Sequence, residues 1–159
     1  MKVKEVMTTN PAACTPLNTL ADAAGFMWQH DCGILPVVAD GGKVVGLITD
    51  RDICMASLLN ARQLAHIAVE EVISGKVVAC RDEDDVKTAL LKMQEHKIRR
   101  LPVLNDDGRL GGMLSMNDIV LRAQESKDKR GSAVSYADIV KTYQEICRHP
   151  LPQTTAAGV

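Results

Sequence analysis

Two short stretches of the sequence pair a hydroxyl side chain with a carboxylate three residues later. Thr49 precedes Asp52 and Ser115 precedes Asp118, and in both cases an apolar run leads from a glycine to the hydroxyl. A carboxylate can accept hydrogen bonds from both hydroxyls of a cis-diol, and such charge-assisted bonds are strong. The same residue types are also preferred at helix N-termini, where the hydroxyl caps and the acid follows in the first turn. The pattern is therefore typical of a sugar-binding pair and equally of a helix cap.

Both stretches belong to a duplication of most of the chain. An offset of 66 residues, the distance from position 52 to position 118, pairs identical residues without a gap. Examples are Val3 with Val69, Cys14 with Cys80, Met27 with Met93, His30 with His96, Leu35-Pro36-Val37 with Leu101-Pro102-Val103, and Gly46 with Gly112. A repeat of this length exceeds the usual solenoid unit, so we expect two copies that close into one body.

The two repeats predict the same order of elements around these residues. The first repeat predicts a short strand at 12–15, a helix capped by Thr19 and ending near His30, strands at 34–38 and 44–48 joined by a turn at 40–42, and a helix at about 50–60. The second predicts strands at 77–80, 101–104 and 110–114, with helices at about 85–97 and from 117. Gly33, just past the first helix, is expected to stop it.

Residues after 123 differ in composition from the repeats. Residues 124–131 are charged and lack apolar side chains, which is typical of a solvated linker. Ser135 then predicts a capped helix with Asp138 three residues on, and its apolar stripe comprises Tyr136, Ile139, Val140, Tyr143, Ile146 and Cys147. The predicted organisation is repeat one at 1–61, repeat two at 62–123, a linker at 124–134, an amphipathic helix at 135–149 and a frayed tail at 150–159.

Composition indicates a globular protein with an aliphatic core. Hydrophobic residues make up 46% of the chain, charged residues 25% and aromatic residues 3%. The net charge of −1 with interspersed signs argues against nucleic acid as a partner. The N-terminus lacks a signal-peptide core, and no apolar run approaches the roughly 20 residues that span a bilayer, so we expect a cytoplasmic protein without a membrane partner. The five cysteines lack a C-x-x-C spacing, which agrees with a cytoplasmic location. Cys14 and Cys80 are expected to be small buried residues.

Signals for catalysis or metal binding are weak. The sequence has no G-x-S-x-G motif, no P-loop and no Rossmann glycine pattern. His30 and His96 lie near predicted helix C-termini, where capping or exposure accounts for them. His30 and Cys32 have no second cluster with which to complete a tetrahedral metal site. We therefore predict a protein that is not an enzyme and that has no catalytic or metal-binding residues.

The doubled order of strands and helices, with L-P-V on the middle strand and G-h-h-T/S-x-x-D after the last, resembles the cystathionine-β-synthase (CBS) domain. Two copies resemble the pair called a Bateman module, and the resemblance covers about residues 1–123. It implies an α+β fold of two β-α-β-β-α repeats packed with pseudo-two-fold symmetry, to which this chain adds a C-terminal helix.

The resemblance also implies ligands and contact residues. The family binds adenosine-containing ligands between its repeats, so AMP, ADP or ATP is expected here, with S-adenosylmethionine and NAD as alternatives and no catalytic cofactor. The implied ribose contacts are Thr49, Asp52, Ser115 and Asp118, the implied phosphate contacts are Arg99, Arg100 and Arg51, and the implied adenine contacts through the backbone are Gly33, Ile34, Cys14 and Cys80. We expect the second cleft, beside Ser115 and Asp118, to be the better site.

Other interpretations of the arginines remain open at this stage. Arg99 and Arg100 could be solvated or paired with Asp106 and Asp107. Neighbouring residues on a strand point to opposite faces, so at most one of the two arginines easily enters a given cleft.

These features together predict a regulatory protein that binds an adenine nucleotide and signals through its conformation or its contacts. A homodimer is expected because Bateman modules commonly associate in pairs, and the C-terminal helix is the candidate for transmitting ligand occupancy. The regulated partner is unknown from the sequence. The alternatives are a ligand-free dimeric scaffold, in which the hydroxyl and acid pairs act as caps alone, and a small enzyme that acts on a nucleotide.

Overall fold

The computed structural model describes residues 1–125 and 133–148, which form a mixed α+β fold. The strands are β1 (Thr8–Thr9), β2 (Ile34–Val38), β3 (Val44–Thr49), β4 (Cys80–Arg81), β5 (Arg100–Leu104) and β6 (Leu110–Ser115). The helices are α1 (Leu20–Gln29), α2 (Asp50–Leu59), α3 (Val86–His96), α4 (Met116–Val120) and α5 (Tyr136–Cys147). The predicted fold class, two like repeats followed by a C-terminal helix, is confirmed.

An antiparallel hairpin lies at the centre of each repeat. β2 pairs with β3 so that Pro36 lies opposite Leu47, and β5 pairs with β6 so that Pro102 lies opposite Met113. β1 and β4 extend the second hairpin into a sheet of order β1-β6-β5-β4. Both predicted hairpins are confirmed. The strand predicted at 12–15 is wrong, because this segment contributes a single bridge between Cys14 and Val37, and residues 77–79 precede β4.

The backbone pairings show the pseudo-two-fold relation between the repeats. Lys43 and Arg109, which are equivalent positions of the duplication, pair with each other in an antiparallel bridge. A residue can pair with its own equivalent in this way when it lies at a two-fold axis. The bridge between Lys2 and Asp85 is likewise matched by one between Ala68 and Thr19. The two repeats therefore form one closed body.

The segment that opens each repeat packs into the other repeat. Val3 and Val6 belong to the hydrophobic core of repeat two, whereas Ile67 and Val69 belong to the core of repeat one. β1 also pairs with β6 of repeat two. Because of this exchange, a division at 61/62 separates the copies in sequence and not the packed units.

The glycine of each hydroxyl-acid motif lies where an opening segment crosses the hairpin. A Cβ atom on Gly112 would lie 2.7 Å from Met7 Sδ and 2.8 Å from the Thr8 carbonyl oxygen. A Cβ atom on Gly46 would lie 2.6 Å from Ile73 Cδ1. The absence of a side chain at both glycines therefore permits the close crossing.

Helix α1 ends at Gln29, near the predicted position, but not because of a glycine. Asp31 adopts a left-handed conformation with φ of 48°, and the equivalent Lys97 does so with φ of 54°. The expectation that Gly33 stops the helix is wrong. Gly33 instead lies close to the start of α2, because a Cβ atom there would lie 2.8 Å from Asp50 Oδ2 and would require this side chain to move.

The C-terminal helix α5 packs against α3 and α4 of repeat two. Ile139, Thr142 and Ile146 are buried, and Gln94 Nε2 donates a hydrogen bond to Thr142 Oγ1 at 2.7 Å. The predicted stripe was partly wrong, since Tyr136 and Val140 are 55% and 56% exposed and Cys147 is also exposed. The buried face is centred on Thr142, a residue whose polarity hid it from the sequence pattern.

Two predicted segments lie largely outside the part of the chain that the structure describes. These are the linker predicted at 124–134, of which residues 126–132 are not described, and the tail predicted at 150–159. At the described edges of the linker, Gln124 N donates to Val134 O at 3.1 Å and Tyr136 N donates to Gln124 O at 3.3 Å.

The crossing at the two glycines predicts unequal costs for the same substitution. Gly112→Ala should lower the free energy of unfolding by about 1–3 kcal/mol, because the new methyl group meets a backbone oxygen of a paired strand. Gly46→Ala should cost less, since the atoms it meets all belong to the side chain of Ile73. Urea unfolding followed by circular dichroism measures both. Equal losses would show that the backbone contact at Gly112 yields as readily as a side chain.

The burial of the cysteines predicts two classes of thiol. Burial raises the pKa of the Cys14 and Cys80 thiols to about 11, and both side chains lie in the cores. Cys54 and Cys147 are exposed and Cys32 is half-buried. Since the thiolate is the nucleophile, iodoacetamide near pH 8 should label Cys32, Cys54 and Cys147 in the folded protein. All five cysteines should be labelled after unfolding. Peptide mass spectrometry identifies the labelled positions, and rapid labelling of Cys14 or Cys80 would contradict their burial.

Candidate functional site

The Ser115 and Asp118 side chains form a reciprocal cap at the junction of β6 and α4. Ser115 N and Ser115 Oγ donate to Asp118 Oδ2 at 2.8 and 2.6 Å, and Asp118 N donates to Ser115 Oγ at 3.2 Å. One carboxylate oxygen is thereby committed to the protein. Among the described residues no hydrogen bond engages the other oxygen, Oδ1.

Equivalent capping boxes occur at the start of three other helices. Thr49 with Asp52, Thr19 with Asp22 and Ser135 with Asp138 have the same reciprocal bonds. The backbone amide of Thr19 donates to Asp22 and lowers the pKa of that carboxyl, and Ser135 does the same for Asp138. Capping therefore explains the motif by itself, and a ligand-binding role must come from what surrounds each pair.

What distinguishes the Ser115 and Asp118 pair is a cleft of about 400 Å³ formed by both repeats. We call it the Ser115 cleft. Its walls are Thr8, Asn10, Pro11 and Ala12 of the opening segment, His30, Asp31, Cys32 and Ile34 of repeat one, and Arg100, Met113, Ser115, Asn117 and Asp118 of repeat two. The exchange of opening segments thus supplies one wall of this cleft.

The two arginines before the proline strand differ in position, because Arg100 begins β5 and Arg99 precedes it. Arg100 is half-buried and lines the Ser115 cleft, whereas Arg99 is exposed and lies outside it. The described residues place no carboxylate within salt-bridge distance of either guanidinium, so the pairing with Asp106 or Asp107 is not observed. Arg100 therefore places an unpaired cation in the same cleft as the Oδ1 oxygen of Asp118.

Repeat one has the same cap with different neighbours. Thr49 N and Thr49 Oγ1 donate to Asp52 Oδ2 at 2.9 and 2.7 Å. Arg51 is exposed and occupies the position equivalent to Asn117, which lines the Ser115 cleft. Ile34 occupies the position of Arg100. The first repeat therefore offers its cation from the helix start and not from the strand.

The predicted adenine contacts are separated by the fold. Ile34 lines the Ser115 cleft, but Gly33 lines a different hollow of about 530 Å³ between α1 and α2. Cys14 is buried and its backbone bonds with β2, through Cys14 N to Pro36 O at 3.1 Å and Val38 N to Cys14 O at 2.8 Å. Cys80 is buried where β4 pairs with β5. Of the four residues, the structure brings Ile34 to the cleft.

Sequence reasoning missed the opening-segment wall and Asn117. Thr8, Asn10 and Pro11 carry no local signal that this segment crosses to the other repeat. Asn117 gave a weak signal, since it follows Ser115 by two residues at the position of Arg51. The cleft is thus built from residues whose roles depend on long-range packing.

The described residues include neither a cluster of metal-ligating side chains nor a membrane-spanning helix. Within residues 1–125 and 133–148, no group of three or more His, Cys, Asp or Glu side chains could hold a metal ion. None of the helices described there is long and apolar enough to cross a membrane.

The repeat architecture and the paired caps agree with the family comparison. The profile of the CBS domain matches residues 3–59 and again residues 69–125. The two matches cover most of the chain, so the protein belongs to the CBS domain family and carries the domain twice.

Known relatives include proteins of similar length and structures with bound ligands. The CBS domain-containing protein YhcV of Bacillus subtilis (strain 168) is 35% identical over 133 residues, spanning 84% of this chain and 92% of that protein. The CBS domain pair of protein MJ0100, in complex with 5'-methylthioadenosine and S-adenosyl-L-methionine, has a TM-score of 0.69 and 27% identity, covering 76% and 98% of the two chains. CBSX2 in complex with AMP has a TM-score of 0.65 and 26% identity, covering 76% and 93%.

Proposed function

We propose that this protein is a regulatory CBS pair that binds an adenine nucleotide in the Ser115 cleft and signals occupancy through its conformation. The observation that carries the proposal is the union, in one cleft between the repeats, of the Asp118 Oδ1 oxygen and the unpaired Arg100 guanidinium. The complexes of MJ0100 with S-adenosyl-L-methionine and of CBSX2 with AMP support a ligand of the adenosine class.

Each wall of the cleft suits one part of a nucleotide. Asp118 Oδ1 accepts from the ribose hydroxyls in a charge-assisted bond, and the planar guanidinium of Arg100 matches phosphate oxygens. Ile34 and Pro11 provide apolar surface for the base. AMP, ADP and ATP fit this division of roles, and S-adenosylmethionine is the alternative in which a sulfonium group replaces the phosphate.

A second ligand site is proposed beside Thr49 and Asp52, with Arg51 as its phosphate contact. This site is the weaker of the two, because Ile34 replaces the strand arginine and Arg51 is exposed to solvent. The ligand selects between conformations by its difference in affinity for them, so no chemical step on the nucleotide is required. We accordingly propose a non-catalytic role, and the free thiols agree with a cytoplasmic location.

The proposal predicts that a nucleotide stabilises the protein through Asp118. At 100 times its dissociation constant, a bound nucleotide should raise the free energy of unfolding by about 2.7 kcal/mol. Asp118→Ala should abolish this rise, because the acceptor for the ribose is lost. Thermal melting against adenosine, AMP, ADP, ATP, NAD and S-adenosylmethionine measures the effect.

Asp22→Ala is the matched control for this measurement. It removes the same capping bond, from Thr19 N at 2.9 Å, but Asp22 is exposed and does not line the Ser115 cleft. The ligand-induced rise should therefore survive in Asp22→Ala, even though both variants lose the acid of a capping box and keep its hydroxyl. A panel without any stabilising ligand would favour the ligand-free scaffold, and conversion of ATP to product would favour an enzyme.

We further propose that the protein forms a homodimer through α1 and α2 of repeat one. Trp28 is 89% exposed on α1, and Leu58 and Leu59 are 74% and 75% exposed on α2. In repeat two the positions of Trp28 and Leu58 are Gln94 and Gln124, and both hydrogen-bond with α5 or the residues that lead into it. The apolar face thus remains open on the repeat that α5 does not cover.

Charge placed on this face should dissociate the dimer. Trp28→Glu or Leu58→Glu would bury a carboxylate without a partner at the interface, so sedimentation velocity should show a monomer. Leu17→Glu is the control, since Leu17 is 79% exposed but lies outside both helices. A monomeric wild-type protein, or dissociation by Leu17→Glu as well, would contradict this interface.

A further inference from the structure

A small cavity between repeat two and α5 lies directly beside the Ser115 cleft. It has a volume of about 110 Å³ and is lined by Arg99, Arg100, Ser115, Met116, Asn117 and Tyr143. We call it the Arg99 pocket. Three of these residues, Arg100, Ser115 and Asn117, also line the Ser115 cleft. The C-terminal helix therefore contributes a wall, through Tyr143, next to the proposed nucleotide site.

The side chains of the Arg99 pocket are rich in donors and include no acid. Arg99 and Arg100 each present a guanidinium, Asn117 an amide and Tyr143 a hydroxyl. Among the described residues none of these four groups has a hydrogen bond or an ion pair to the protein. The Ser115 cleft differs, because Asp31 and Asp118 line it. An anion is the ligand class that satisfies such a set of unpaired donors.

The size of the Arg99 pocket agrees with one phosphate group. Its volume of about 110 Å³ lies below the roughly 300 Å³ at which pockets for whole drug-sized ligands begin, so it suits a small group and not a whole nucleotide. A nucleotide whose ribose contacts Asp118 and whose first phosphate contacts Arg100 has further phosphates to place beyond that arginine. The adjacent pocket offers Arg99 and Tyr143 to receive them.

The position of Tyr143 depends on the docking of α5. Its neighbour Thr142 is fully buried, accepts from Gln94 Nε2 at 2.7 Å and donates to Asp138 O at 2.8 Å. Tyr143 packs against the core of repeat two, and at the end of α5 Lys97 Nζ donates to the Arg148 carbonyl oxygen. A ligand that contacts Tyr143 therefore favours the docked helix over any displaced one.

We propose that the Arg99 pocket binds a phosphate beyond the first of a nucleotide held in the Ser115 cleft, and that Tyr143 donates a hydrogen bond to it. This inference rests on the proposed function and adds two properties to it. The site distinguishes ATP from AMP, and occupancy by ATP strengthens the docking of α5. By linkage, a docked α5 raises the affinity for ATP by the same factor.

The test compares AMP, ATP and inorganic tripolyphosphate by isothermal titration calorimetry on the full chain and on Tyr143→Phe. The variant keeps the aromatic ring that packs on repeat two and removes the hydroxyl. A hydrogen bond to a charged group is lost, so the affinity for ATP and tripolyphosphate should fall about tenfold. The affinity for AMP should stay within twofold. Hydrogen exchange in 136–147 should slow with ATP and not with AMP.

The outcomes separate this inference from the proposed function. Equal ATP affinities in the wild type and Tyr143→Phe, or an equal loss for AMP and ATP, would overturn the role of Tyr143 while leaving the nucleotide site intact. If tripolyphosphate binds in a Tyr143-dependent manner but no nucleotide binds, the anion pocket stands and the nucleotide function fails. If neither ATP nor tripolyphosphate binds, this inference is overturned, and the proposed function then stands or falls with the binding of AMP.

Discussion

The reciprocal packing of the opening segments is the constraint on which the rest of the structure depends. Val3 and Val6 complete the core of repeat two, and Ile67 and Val69 complete the core of repeat one. Each core therefore includes side chains from the opening segment of the other repeat. Burial of each such apolar side chain contributes about 1.5–3 kcal/mol to stability. The same crossing places Thr8 to Ala12 over the hairpin of repeat two and so creates a wall of the Ser115 cleft. The same packing therefore builds both the hydrophobic core and a wall of the cleft.

Four of the described helices begin with the same hydroxyl and acid, and we propose ligand binding at two of them. In all four, the hydroxyl accepts from the backbone amide of the acid. This bond explains the local sequence completely, since an N-cap is worth about 1 kcal/mol without any ligand. We propose the stronger site at Asp118 because, among these four acids, it is the one that lines the Ser115 cleft with Arg100. The capping bonds already hold the carboxylate in one orientation, so a ligand would not have to order it.

Helix α5 breaks the symmetry of the duplication. It covers α3 and α4 of repeat two, where Gln94 bonds to the buried Thr142, whereas the equivalent Trp28 on repeat one is 89% exposed. The two faces therefore carry different residue types for a physical reason: one is closed within the chain and the other is open. The proposed dimer uses the open face, and the proposed phosphate subsite uses the closed one. Both depend on a helix that lies outside the two CBS domains.

The sequence by itself determined the duplication, both hairpins, the helix caps and the CBS family, because each rests on neighbouring residues or on a repeated pattern that a single chain displays. The tertiary structure alone decided the surroundings of several single residues. Gly33 lies against the Asp50 side chain, and the backbone groups of Cys14 and Cys80 pair with strands of their own repeats. Thr142 is at the centre of the buried face of α5. It also placed Thr8, Asn117 and Tyr143 at the candidate sites. These features depend on contacts between residues far apart in the chain, whereas caps and turns are fixed within three or four residues.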